Sequence, residues 1–200
     1  MIIPNYNIIE RIDESPQATV YKAYHKENPH QLLVLKILNE NYLSPYKKNQ
    51  ITQKIEQLRV LNDPEVITPI NFNSKDGTCY IIQNYFHGTS LNRIMAENDR
   101  ISLKDFFTMG IGLARVLDKV HDTGIIHGGI KPHNILVDDK LNIRLIDFIT
   151  AIDVRDVSHF IYDRSFIRET LAYTSPEQTG RINHQVSFSS DLYSLGIVFY

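Results

Sequence analysis

His127, Lys131 and Asn134 share one short stretch, Gly124-Ile125-Ile126-His127-Gly128-Gly129-Ile130-Lys131-Pro132-His133-Asn134-Ile135-Leu136, and Asp147 follows thirteen residues after Asn134. Asn134 carries an amide and Asp147 a carboxylate, polar groups that can hydrogen-bond or hold charge at a site. Taken singly, either residue more often serves an ordinary turn, so what positions them decides the matter. Ile125 and Ile126 lead in like a short buried strand. Gly128, Gly129 and Pro132 then break regular structure, and Ile135-Leu136-Val137 resumes an apolar run. A loop held between two core strands is a rigid mount for polar groups.

The rest of the chain must supply that mount. Its 200 residues suffice for one domain or two small lobes. A hydrophobic content of 42% and a charged content of 22% are ordinary for a soluble globular protein. The formal charge of −2 gives no strong field towards nucleic acid or an anionic membrane, and neither is expected as a partner. A single cysteine, Cys79, excludes an internal disulfide framework and fits a reducing, cytoplasmic setting. The N-terminal residues do not form a signal peptide, and no apolar run reaches the roughly 20 residues of a membrane span.

Three strand-like runs, Tyr6-Ile12, Thr19-Tyr24 and Leu32-Ile37, predict an antiparallel meander. A helix is expected over Lys47 to Leu61, where Ile51, Ile55, Leu58 and Leu61 recur at helical spacing, with Asp63-Pro64 ending it. Two further strands, Val66-Phe72 and Thr78-Gln83, flank the hairpin signal Lys75-Asp76-Gly77. After Asn84-Tyr85-Phe86-His87-Gly88 the period becomes helical. Ser102-Leu103-Lys104-Asp105 reads as a helix cap, Leu103, Phe106, Gly110, Leu113, Leu117 and Val120 as one face, and Gly124 as the stop. The expected architecture is α+β and two-lobed. A five-stranded antiparallel sheet lobe with one helix spans 1–84, a hinge spans 85–88, and a mainly helical lobe, truncated at its C-terminus, spans 89–200, with a ligand cleft between the lobes. No internal repeat is present, and the apolar helical stretch from Asp191 to Tyr200 stops abruptly, as a fragment of a longer protein would.

The order and spacing of these motifs resemble the protein kinase superfamily over nearly the whole chain. The resemblance implies that Lys36, ending Leu32-Leu33-Val34-Leu35-Lys36, contacts nucleotide phosphates. Val20, Lys131, Asn134, Leu136 and Asp147 would complete the nucleotide site, with Asn134 and Asp147 holding magnesium. Thr170-Leu171-Ala172-Tyr173-Thr174-Ser175-Pro176-Glu177 resembles the end of an activation segment, and Ser190-Asp191-Leu192 the start of a core helix whose Asp191 braces the His127 backbone. Ser175-Pro176-Glu177-Gln178-Thr179-Gly180-Arg181-Ile182-Asn183 is similar to the N-terminal Ser/Thr kinase-like domain of large bacterial proteins that continue into an ATPase module and a sensor histidine kinase.

Several positions depart from the family pattern. His127-Gly128-Gly129 replaces His-Arg-Asp, so Gly129 at the base position cannot take a proton and Gly128 cannot receive an activation-loop phosphate. Asp13, Ser15 and Ala18 stand where the phosphate-covering glycines would be. Lys54 occupies the helix position of the glutamate that would pair with Lys36, and Glu56 is about 200° around the helix from it. Ile149 follows Asp147-Phe148 where glycine is usual.

The expected function is a pseudokinase, with weakened binding of ATP and magnesium, no catalytic residue assigned beyond a residual Lys131, and an unknown protein partner in a signalling assembly. Two alternatives are an active Ser/Thr kinase with a non-standard base and a small-molecule phosphotransferase, which shares the His-Gly and Asn elements of the loop. A decayed fragment without a stable fold is the remaining one.

Overall fold

Alternation of apolar and polar residues in the first third of the chain produces a sheet, and the helical period that follows produces a second, separate core. A computed structural model describes residues 3–40, 43–74, 78–97, 100–159 and 171–200. It divides into two compact units, Met1–Arg59 with Thr68–Phe86, and Val60–Ile67 with His87–Tyr200. The hairpin signal at Lys75-Asp76-Gly77, the N-terminal Met1 and Ile2, and Thr170 of the expected activation segment lie outside the described residues.

In the first unit, β1 (Tyr6–Glu14), β2 (Ala18–His25) and β3 (Asn28–Leu38) form the expected meander, followed by α1 (Pro45–Leu58). The next strand, β4 (Val66–Ile67), belongs to the second unit, while β5 (Pro69–Asn73) and β6 (Cys79–Asn84) complete a sheet of order β1-β2-β3-β6-β5. Leu33, Leu35 and Ile37, at alternate positions of β3, pack with Ala23, Tyr80 and Ile82 in the core. Lys36 therefore lies on the other face, opposite Val20 on β2 and Ile81 on β6. The β1–β2 hairpin closes without glycine: the Ser15 N–H donates to the Ala18 carbonyl at 2.8 Å, and the Ala18 N–H donates to Ser15 Oγ at 3.2 Å. Asp13 is an exposed strand position paired with Val20.

Ser44 caps α1 by accepting from the Lys47 N–H, Pro45 opens it, and Ile51, Ile55 and Leu58 are its buried face. The helix ends at Leu58 rather than at Leu61 as expected, although Leu61 remains buried. Lys54 is half-buried, whereas Glu56 is exposed and pairs with Arg59 at 3.0 Å, turned away from the face that bears Ile55.

The expected single strand Val66-Phe72 is two strands in two sheets. Val66 and Ile67 pair in parallel with Leu145 and Ile146, whereas Pro69 onward pairs antiparallel with β6. Thr68 is where the chain changes sheets. The parallel partner lies some eighty residues downstream, and local pattern carries no record of it.

The second unit continues with β7 (Thr89–Ser90), α2 (Leu91–Glu97) and α3 (Leu103–Asp122). Then come β8 (Ile125–Ile126), β9 (Ile135–Val137), β10 (Ile143–Ile146), β11 (Ile152–Asp153) and α4 (Phe188–Phe199). Its strands form a sheet of order β4-β10-β9-β7 and the small pair β11-β8. Ser102 Oγ accepts from the Asp105 N–H at 3.1 Å, and Gly124 leaves α3 at φ +80°, as the cap and stop signals predict. The buried face of α3 is Met109, Leu113, Val116, Leu117 and Val120; Leu103, expected on it, is 76% exposed, whereas Phe106 in the same turn packs edge-on to Phe199. Among the described residues no helix is long and apolar enough to cross a membrane.

Candidate active site

The loop after β8 is anchored at its entry by packing. Ile126 pairs with Ile152 of β11, and both are buried with Val186. Beyond it, His127-Gly128-Gly129 makes no ladder hydrogen bonds, so each of its backbone groups needs another partner. Every one finds a side chain. The N–H groups of His127 and Gly128 donate to the two carboxylate oxygens of Asp191, both at 2.8 Å. The Gly129 N–H donates to His127 Nδ1 at 3.2 Å. The His127 carbonyl accepts from Thr150 Oγ1 at 3.3 Å, that of Gly128 from Gln178 Nε2 at 2.9 Å, and that of Gly129 from Asn134 Nδ2 at 2.8 Å. The loop is thus fixed by residues from the turn after β10, from the 173–178 segment and from α4.

His127 is fully buried, edge-on to Phe148 with ring centroids 4.5 Å apart. Its Nε2 is 3.0 Å from the Ile146 carbonyl and must donate to it, so Nδ1 is left as the acceptor for Gly129. That tautomer is neutral. Burial holds the imidazole below its ordinary 6.5, and the opposing pull of the Asp191 charge does not reverse it. Asp191, 1% exposed, also binds His121 Nε2 at 2.8 Å.

Asp147 leaves β10 in the left-handed region, φ 66° and ψ 59°, and Phe148–Thr150 follow as a single 3₁₀ turn. This conformation is uncommon away from glycine and more readily adopted by aspartate than by most residues. It permits the sharp turn after β10 although Ile149 stands where protein kinases usually have glycine. Pro132–Asn134 form another 3₁₀ turn entered from an extended Lys131. Asn134 is buried, and Lys131, Leu136 and Asp147 are half-buried. Lys131 and Gly129 share a small depression with Tyr173, Thr174 and Gln178. Val20 and Lys36 face one another in the first unit's sheet.

The protein kinase domain family model matches residues 6–200. The chain belongs to the protein kinase family. It is 29% identical to a probable serine/threonine-protein kinase of Clostridium perfringens over 98% of its own length and 28% of that protein. It is 27% identical to the serine/threonine-protein kinase PknA of Mycobacterium tuberculosis over 84% of its length and 39% of that kinase. With the serine/threonine-protein kinase RUNKEL of Arabidopsis thaliana the identity is 28%, over 98% of this chain and 14% of the relative. The chain therefore spans well under half the length of these curated relatives.

Set in a kinase domain, the surroundings of Gly129 acquire a meaning. A Cβ at this position would lie 2.6 Å from Thr150 Oγ1, inside any real contact distance, while His127 Nδ1 and Asn134 Nδ2 would sit at an ordinary 3.6 and 3.7 Å. Gly128, at φ +68°, would place a Cβ 2.8 Å from the Thr150 carbonyl. Gly129 carries no carboxylate, and the place a first side-chain carbon would take is crowded by a threonine. Nothing in the sequence of Thr150 signalled this. Protein kinases use ATP and magnesium, and the donors here would fit that ion: Asn134 commits its NH₂ group to Gly129, so its oxygen would be the ligating atom, and Asp147 would offer a carboxylate.

His121 and Gln178 were also not assigned roles from sequence, though Gln178 stands within the quoted Ser-Pro-Glu-Gln wording and His121 at the end of the predicted helix. Gln178, 4% exposed, uses its other atom, Oε1, to accept from the Ser175 N–H and Oγ, both at 3.1 Å. Glu177 accepts from Ser190 Oγ at 2.6 Å. Burial opposes the Glu177 charge, but hydrogen bonds led by Ser190 outweigh it and hold the carboxyl below its ordinary range.

Proposed function

We propose that this kinase domain is a pseudokinase that retains a nucleotide and magnesium platform and signals by conformation or scaffolding. The observation that carries the reading is the 2.6 Å separation between Thr150 Oγ1 and the Cβ position of Gly129. Absence of a positioned base lowers the rate by about 10² to 10⁴, and the crowding by Thr150 keeps the position from being refilled by a single side chain without movement. In the first unit, Val20 and Lys36 are the residues assigned to nucleotide; in the second, Lys131, Asn134, Leu136 and Asp147, with Asn134 and Asp147 holding magnesium. Bound magnesium neutralises charge on the phosphates. The likeness of residues 175–183 to bacterial multidomain sensor kinases supports a partnership with further signalling modules and a protein receiver in the cytoplasm.

One observation favours a second reading, an active kinase of low rate. All six backbone groups of His127-Gly128-Gly129 are hydrogen-bonded, a well-held loop, and phosphoryl transfer depends chiefly on positioning and charge neutralisation. Transfer of labelled phosphate from ATP by the purified domain, compared with its Asp147→Asn form, separates the two. Transfer that depends on Asp147 overturns the pseudokinase reading.

A further inference from the structure

The hydrogen bonds around α4 join three elements in a closed triangle. Asp191 ties α4 to the His127-Gly128 backbone. Ser190 ties α4 to Glu177, and Ser194 Oγ donates to the Tyr173 carbonyl at 2.6 Å, so the same helix holds the 173–178 segment. The third side is direct and rests on one side chain, Gln178, whose Nε2 donates to the Gly128 carbonyl while its Oε1 accepts from Ser175.

We propose that Gln178 is the positioning residue that couples the end of the activation segment to the catalytic loop, and that it does so without a phosphate. Gly128 stands where many kinases carry the arginine that receives an activation-loop phosphate, so that arginine's ion pair is not the link here. Gln178 supplies it with neutral groups. A buried amide can satisfy a carbonyl and an N–H at once because it carries donor and acceptor on one planar head. The carbonyl it holds belongs to the 128–129 peptide, and the next carbonyl, that of Gly129, is the acceptor for Asn134 Nδ2. Gln178 therefore acts on the cation-site asparagine through two consecutive peptide units. The segment and the loop are locked together whatever the phosphorylation state of the chain, a fixed arrangement suited to a domain whose output is its shape. The inference requires neither nucleotide binding nor phosphoryl transfer, so it stands or falls separately from the pseudokinase reading.

The test is amide hydrogen exchange followed by peptide mass spectrometry, with Gln178→Glu and Gln178→Leu beside the wild-type chain. The glutamate variant keeps size and the acceptor for Ser175 but replaces the donor facing Gly128 by a second oxygen. Leaving a buried carbonyl without its donor corresponds to about ten-fold faster local opening. Peptides covering 127–131 are expected to exchange about ten-fold faster in both variants, those of α3 are expected to be unchanged, and phosphatase treatment of the wild type is expected to change neither. Should the leucine form not fold, the near-isosteric glutamate form still decides. Loop exchange at the wild-type rate in the glutamate form, equal acceleration in the loop and α3, or a phosphatase effect on the wild-type loop would each overturn the proposal.

Discussion

Replacing Gly129 by aspartate would supply the carboxylate that the proposed reading lacks, and collides with Thr150 in the fold. The new Cβ would meet Thr150 Oγ1 at 2.6 Å, whereas its other close neighbours, at 3.6 and 3.7 Å, are undisturbed. Forcing side-chain atoms into a packed site costs about 1–3 kcal/mol. Thr150→Ala removes the colliding oxygen together with its 3.3 Å hydrogen bond to the His127 carbonyl, a loss of about 0.5–1.5 kcal/mol. In the double variant the collision is gone, so its cost should fall below the sum of the two single costs by about 1–2 kcal/mol, within the range of coupling between touching residues. Urea unfolding of the four proteins measures that coupling. Each kcal/mol also moves the melting temperature by about 2–4 °C in a domain of this size. Single costs that simply add would refute the reasoning, since they would mean that Thr150 does not occupy the base position.

Two further outcomes follow from the buried network. Asp191→Ala leaves the N–H groups of His127 and Gly128 unpaired, each at a cost of about 1–3 kcal/mol, and Asp191→Asn, which keeps one acceptor oxygen, should cost roughly half as much; equal stability of all three proteins in denaturant would refute the bracing role. Because burial depresses the folded pKa of His127, the unfolded chain binds its proton more readily. The resulting stability is fully present above about pH 6.5 and is lost as pH falls towards the folded value. Urea midpoints measured from pH 7.5 down to 5.5 should therefore decline in the wild type and decline less in His127→Phe; identical slopes would contradict a neutral buried histidine.

What could be read from sequence was local. The alternating residues of β3, the Ser102 cap and the Gly124 stop are signals carried within a few positions, and each appears in the structure where expected. The placement of Asp191 against the His127 backbone came from family resemblance and also holds. What failed depended on distant partners. Val66-Phe72 is divided by a parallel pairing with β10, and Leu103 is exposed while its turn packs through Phe106 against Phe199 of α4. Thr150 and Gln178 escaped notice for the same reason. A threonine within a turn and a glutamine after Ser-Pro-Glu have no periodicity to betray them, and only the folded loop brings one to Gly129 and the other to Gly128.

The central claim is that this kinase domain keeps its platform and lacks its chemistry, and transfer of the ATP γ-phosphate tests it most directly. Purified wild-type domain and Asp147→Asn are incubated with labelled ATP, magnesium and a generic protein acceptor, with an active kinase as positive control. The account predicts no transfer by the wild type above the Asp147→Asn background. Transfer that is present in the wild type and abolished in Asp147→Asn would contradict it.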